Sequence, residues 1–274
     1  VSDSDTSEIA LAKDQVKGNR RIVIIPETEE GLKLFTKKMT SIGRVKKVAR
    51  GAFIVEENNE LVRQSLDQIP HISFKKVRDI PKMRDKSKDA KLKRTYAIVT
   101  YHLKNPSPQQ KKKVQRLIAR SVSIRLRPGV LLFPYLRVKD NRKYFKNENT
   151  RRLLNSKEFA NDIAKLNANV SRFTHLRITG PTSLSLVYSA LERMVIRKSN
   201  TLEKKSRMLR DAAKNPEIPT AKLKERYSAL SLHYKDSKAS FDVIKQILGF
   251  ELHDPFKSLY DKLLRIRKLI SERD

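Results

Sequence analysis

Lys111, Lys112, Lys113, Arg116 and Arg120 are packed into "QQKKKVQRLIAR", and Arg125 and Arg127 follow in "SIRLRPG". Cationic side chains crowded in this way do one kind of chemistry well. They neutralise phosphates and displace counterions from a polyanion, which gives affinity without reading sequence. Arg can also fork two phosphate oxygens or enter a narrow minor groove. A second cluster, "RVKDNRKYFKNENTRR", adds Arg137, Lys139, Arg142, Lys143, Lys146, Arg151 and Arg152. It reads as a basic loop from Lys139 to Arg152. Tyr144 and Phe145 stand among its charges, to stack on an exposed base or to anchor the loop. From Arg94 to Arg137 there is no Asp or Glu. Such a stretch attracts phosphate but offers no convergent carboxylates for the hard divalent cation that would help cleave it.

The charge of the whole chain is as one-sided. Of 274 residues, 61 are Lys or Arg and 30 Asp or Glu, a net charge of +31. Residues 1–80 contribute +3, residues 81–152 contribute +18, residues 153–180 contribute +2 and residues 181–274 contribute +8. A block this lopsided raises the self-repulsion of the folded chain unless an anionic partner offsets it. Nucleic acid is the expected partner.

Other functions lose their chemistry. Without Cys there are no disulfides, no thiolate nucleophile and no Cys-ligated metal. The five His, at 71, 102, 175, 233 and 253, show no ligand spacing. There is no Gly-rich phosphate loop, no His-Glu-x-x-His and no Ser in a nucleophile elbow. No catalytic residue, metal or cofactor is expected. No apolar run approaches the ~20 residues a bilayer requires, and "VSDSDTSEIA" lacks the parts of a signal peptide. A soluble, cytoplasmic protein associated with nucleoid or ribosome is the expectation.

The elements that must position these charges read as α+β. Residues 1–19 are expected to be disordered. Over residues 20–80, "RRIVIIP", a helix with Leu32, Phe35, Met39 and Ile42, "RVKKVA", "AFIVE", a helix capped by Asn58 or Asn59 with Leu61, Val62, Leu66 and Ile69 inward, and "HISFKKVRDI" give the order βαββαβ. "RGAFIVE" resembles part of the third-strand signature of RNA recognition motif domains. It is one aromatic short, and Phe53 reads as core, so this unit is expected to dock or dimerise and not to stack bases. Residues 81–94 form a basic linker.

Residues 95–181 repeat the order. "TYAIVTYHL" is a central strand, and Ser107 caps a helix that starts at Pro108 and turns Val114, Leu117 and Ile118 inward. "SIRLR" and "VLLFPYLRV" flank a Pro128-Gly129 turn, "NSKEFANDIAKLNANV" is a helix and "SRFTHLRITG" a strand. Two tandem ferredoxin-like plaits are expected. Residues 182–274 are helical: Leu184, Val187, Leu191, Met194, Thr201, Met208 and Ala212 form one heptad-like stripe, with Lys198 and Lys205 in its register. Leu223, Tyr227, Leu230, Tyr234, Ser237, Phe241, Ile244 and Leu248 form a second. They predict an antiparallel hairpin serving as an assembly or partner arm. A last helix with Phe256, Leu259, Leu263, Ile266 and Ile270 covers the hairpin or meets a second subunit.

"YAIVTYHL", the Lys- and Arg-rich helix and "LRPGVLLFP" carry a resemblance. Residues 94–181 look like the ferredoxin-like domain shared by the small CRISPR-adaptation endonucleases and the C-terminal region of phenylacetic-acid-type transcriptional repressors. The resemblance implies homodimerisation through plait edges and contact with duplex DNA. Two departures qualify it. Where the nuclease members of that family end the first strand in a metal-holding Asp, this chain has His102, read as a buried or edge His bonded to backbone. Residues 20–80 do not read as the repressors' winged helix. The expected function is therefore non-catalytic binding of nucleic acid, duplex DNA before RNA, in a DNA-organising or regulatory role. An RNA- or ribosome-associated factor is the alternative and a metal-dependent nuclease the third reading.

Overall fold

The computed structural model describes residues 19–26, 32–33, 35–37, 45–56, 59–82, 93–145, 153–249 and 253–273. Alternation along the strands decides the layers. In β1 (Arg20–Ile24), Ile22 and Ile24 enter one core while Val23 enters another. In β5 (Tyr96–His102), Tyr96 and Ile98 take the first side, Ala97 and Val99 the opposite one. With both faces covered, these strands read as nearly unbroken apolar runs.

The remaining strands are β2 (Lys46–Ala49), β3 (Ala52–Glu56), β4 (Ile72–Lys76), β6 (Ile124–Arg127), β7 (Val130–Pro134) and β8 (Asn169–Ile178). They form one antiparallel sheet in the order β2-β3-β1-β4-β8-β5-β7-β6. Each half has the order second, third, first, fourth counted from its outer edge. The halves meet where Phe74 pairs with Ile178, Lys75 with Arg177 and Lys76 with Leu176. Beside this seam His175 has φ 58°, and the pairing of β5 with β8 slips between Tyr96 and Ile98. This is the bulge expected where a strand bends. Twist accumulating over eight strands curls the sheet until β2 lies against β5.

On one face, α1 (Glu60–Asp67) and the helical residues 32–33 and 35–37 bury Val62, Leu66, Leu32 and Phe35 over the first half. Asn59 caps α1 through Val62 N, and Phe53 meets Phe35 edge-on at 5.0 Å, so Phe53 is core as expected. Leu61, expected inward, is 58% exposed; on a two-turn helix, Val62 and Leu66 already span the buried face. Over the second half lie α2 (Pro108–Ala119) and α4 (Ser156–Ala164). Between β7 and α4, residues expected as loop begin with the helix α3 (Val138–Phe145), whose first turn holds Asp140 in an ion pair with Arg137.

The other face is covered by α5 (Pro181–Lys214), α6 (Thr220–Leu248) and α7 (Phe256–Ser271). One apolar cluster runs from Ile22 through Tyr96 to Ile270, and α5 packs on both β4 and β6, strands of opposite halves. The helical region expected as an arm is therefore the shared floor of the sheet. Its last helix buries all five expected residues, Phe256, Leu259, Leu263, Ile266 and Ile270. Arg273 closes the hairpin turn by donating to the carbonyls of Ala213, Pro216 and Ile218 at 3.0 to 3.2 Å.

The stripe of α6 keeps its expected register, but that of α5 does not. Beyond Leu191 the buried positions are Val195, Ser199, Leu202, Ser206, Leu209 and Ala213, while Thr201 is exposed and Met208 is 64% exposed. Two successive four-residue steps, Leu191 to Val195 to Ser199, move the stripe by one position, and alternating steps of three and four resume from there.

Candidate nucleic-acid interface

α2 is the most one-sided element of the chain. Ser107 Oγ accepts from Gln110 N at 3.2 Å while Ser107 N donates to Gln110 Oε1 at 2.9 Å, a reciprocal cap with Pro108 in the first turn. Gln110 Nε2 donates to the carbonyl of Leu166 and ties this end to the segment after α4. Val114 and Leu117 are buried, which leaves Lys111, Lys112, Lys113 and Arg116 exposed. Among the described residues none of these four has a carboxylate partner, and the first turn holds no acid. Lysines in the first two turns oppose the positive end of the helix dipole, an arrangement that an anion would relieve.

Between α2 and α6 runs a groove of about 740 Å³. Lys112, Lys113, Arg116 and Arg120 line one wall, and Ala229, Leu232, His233 and Asp236 the other. Arg120 is half-buried, and its Nε has no hydrogen-bond partner among the described residues. Behind His233 stand two lysines of α5. Lys205 Nζ is 3.5 Å from His233 Nδ1. Burial first, then the charges of Lys205 and Lys198, hold the His233 pKa below its ordinary value against the pull of Asp236. Burial alone lowers that of Lys198 to about 8. Asp236 is the one carboxylate among the groove's described lining residues. A phosphate entering here would meet a cationic wall and favour proton uptake by both depressed groups.

The other candidate residues are dispersed. Arg125 is exposed on the edge strand β6, close enough to Tyr101 to act on its hydroxyl. Arg127 bridges the halves instead: its Nη1 donates to the carbonyl of Ile25. Arg137 is held by Asp140, Nε to Oδ2 at 3.1 Å. Lys139 and Arg142 are exposed on α3. Lys143 and Tyr144 belong to α3 by backbone; their side chains, and all of Lys146, Arg151 and Arg152, lie outside the described residues. His102, expected buried or at an edge, is exposed at the end of the inner strand β5, paired with Asn169. Among the described residues no group of three or more His, Asp or Glu could hold a metal ion. Among the described residues no helix is long and apolar enough to cross a membrane.

Behind the groove the structure adds a small group of basic residues that the charge count along the chain does not reveal. Lys198, Lys205 and His233 come from a region of modest net charge, and their only sequence signal is two lysines set in an otherwise apolar register. No family model matches the chain, and no curated protein or solved structure matches it either. The resemblance of residues 94–181 thus rests on the motifs quoted for it.

Proposed function

We propose that this chain is a non-catalytic nucleic-acid-binding protein that seats the phosphate backbone of duplex DNA along α2 and the groove beside it. The observation that carries the reading is the row of exposed Lys111, Lys112, Lys113 and Arg116, without carboxylate partners among the described residues, three of them lining the groove beside α6. Such a row suits a regularly spaced polyanion better than a single small anion. Each half of the sheet is taken as a ferredoxin-like unit, supported by the strand order and by two crossover segments over each half. The role is organising or regulatory, because phosphate contacts position a protein without reading bases.

A second copy is not required. The edges β4 and β8 pair with each other, and the apolar stripe of α7 is buried within the chain. The outer strands β2 and β6 have four residues each and carry Lys46, Lys47 and Arg125, the short, charged edges that discourage pairing.

Fluorescence anisotropy with a labelled DNA duplex over a salt series tests the reading. If six to eight phosphates are contacted, the slope of log affinity on log salt is roughly −5 to −7. A flat series would remove the electrostatic seat. A duplex RNA bound more tightly than DNA at every salt concentration would move the protein to the RNA-associated class.

A further inference from the structure

The curl of the sheet makes a second site, remote in sequence from α2. Where β2 lies against the end of β5, a cleft of about 1200 Å³ opens between the halves. Its first wall carries Lys33 and Lys37, one helical turn apart, with Lys47 on β2 and Arg50 in the turn that follows. Its second wall carries Tyr101 and His102 from the end of β5 and Asn169 from the start of β8. No Asp or Glu is found among the described residues lining it. Lys33, Lys37 and Lys47 are exposed and have no carboxylate partner among the described residues.

This cleft is not uniformly polar. Leu32, Val48 and Val170 also line it, so cationic side chains stand beside an apolar surface. The ring of Tyr101 is braced edge-on by Phe159 at 6.1 Å, and partial burial raises its hydroxyl pKa despite nearby Arg125. A fixed aromatic ring, apolar contacts and a few convergent donors are the makings of a small-molecule site. Three exposed lysines without carboxylate partners among the described residues, with Arg50 beside them, suit a ligand that carries several negative charges. The other side supplies a flat partner for a ring and amide, imidazole and phenol groups for polar edges.

We propose that this inter-half cleft binds a nucleotide, with its phosphates on Lys33, Lys37, Lys47 and Arg50 and its base along the Tyr101 wall. The chemistry is shared by a free nucleotide and by the 5′-phosphorylated end of a single strand. The proposal does not depend on the α2 groove, since the two sites have no lining residue in common.

Two titrations of the full chain test it, one with ATP carrying a fluorescent methylanthraniloyl group and one with a 5′-phosphorylated thymidine trinucleotide. Saturable one-to-one binding is expected in at least one arm, and the stronger arm identifies the source. Replacing two of the three exposed lysines, Lys37→Ala with Lys47→Ala, should weaken it tenfold or more. Lys112→Gln with Lys113→Gln and Arg116→Gln should change it less than twofold. The proposal is overturned by no saturable binding of either probe at millimolar concentration, or by binding indifferent to the Lys37 and Lys47 changes. An equal loss from the α2 changes would move the ligand to the groove and overturn it too. Inorganic triphosphate displacing the probe as well as ATP does would reduce the cleft to an anion seat and refute the nucleotide assignment.

Discussion

The two halves of the sheet share one strand order and differ in what they carry on it. In both, a hairpin turns through a glycine at nearly the same angle, Gly51 at φ 76° and Gly129 at φ 77°. In both, helical residues bury a short apolar stripe on one face. Yet residues 1–80 have a net charge of +3 and residues 81–152 of +18. The first half shows that this topology folds without the charge. The excess on the second is therefore no requirement of the fold, and part of it stands as the row of exposed Lys111, Lys112, Lys113 and Arg116 on α2.

The contrast sharpens if the halves are stripped of charge separately. Lys112→Gln with Lys113→Gln and Arg116→Gln should lower affinity for duplex DNA by about 3 kcal/mol at low salt and flatten the salt slope by about three. The buried side of α2, Val114 and Leu117, is untouched, so thermal unfolding should be nearly unchanged. The matched change in the first half, Lys46→Gln with Lys75→Gln, removes two exposed cations and should flatten the slope by less than about one. Equal effects per charge in the two halves would erase the distinction and leave only a diffuse cationic surface.

Most of the positioning elements are legible in the sequence because their signals are local. Ser107 before Pro108, Asn59 before Glu60 and Gly after Arg50 or Pro128 each act within a few residues, and all four hold. What escapes is set at a distance. The bulge at His175 exists because β8 serves two halves whose strands bend apart. The groove's second wall exists because α6 lies near α2 across the chain, a juxtaposition that no periodicity encodes. Arg127 illustrates the same limit: its spacing from Arg125 suggests a second phosphate ligand, but tertiary folding places it on the Ile25 carbonyl.

The glycines offer a finer comparison, because equal backbone angles meet unequal surroundings. A Cβ on Gly129 would lie 2.6 Å from the carbonyl oxygen of Tyr101, on a strand fixed by the Tyr101 N to Gly129 O bond of 2.9 Å. A Cβ on Gly51 would meet only the Arg127 side chain, at 2.7 Å from Cδ. Both substitutions carry the left-handed backbone cost. Gly129→Ala should therefore destabilise by about 2–3 kcal/mol, against about 1–2 for Gly51→Ala, in urea unfolding. The reverse order would mean that the Arg127 bridge is stiffer than a β-strand backbone.

The smallest effect concerns the floor that both halves share. Continuing the register of Leu184, Val187 and Leu191 places Met208 in the buried stripe of α5, whereas in the structure Leu209 is 5% exposed and Met208 64%. A thioether in a core resists a polar replacement, since burying an unpaired amide costs at least ~1 kcal/mol. A thioether in solvent does not. Met208→Gln, between residues of similar helix propensity, should shift the urea midpoint by the equivalent of no more than about 0.5 kcal/mol. A loss of ~2 kcal/mol or more would restore the register expected from the sequence. It would also turn the α5–α6 hairpin relative to the sheet, moving Lys198 and Lys205 away from His233 and dismantling the groove's second wall.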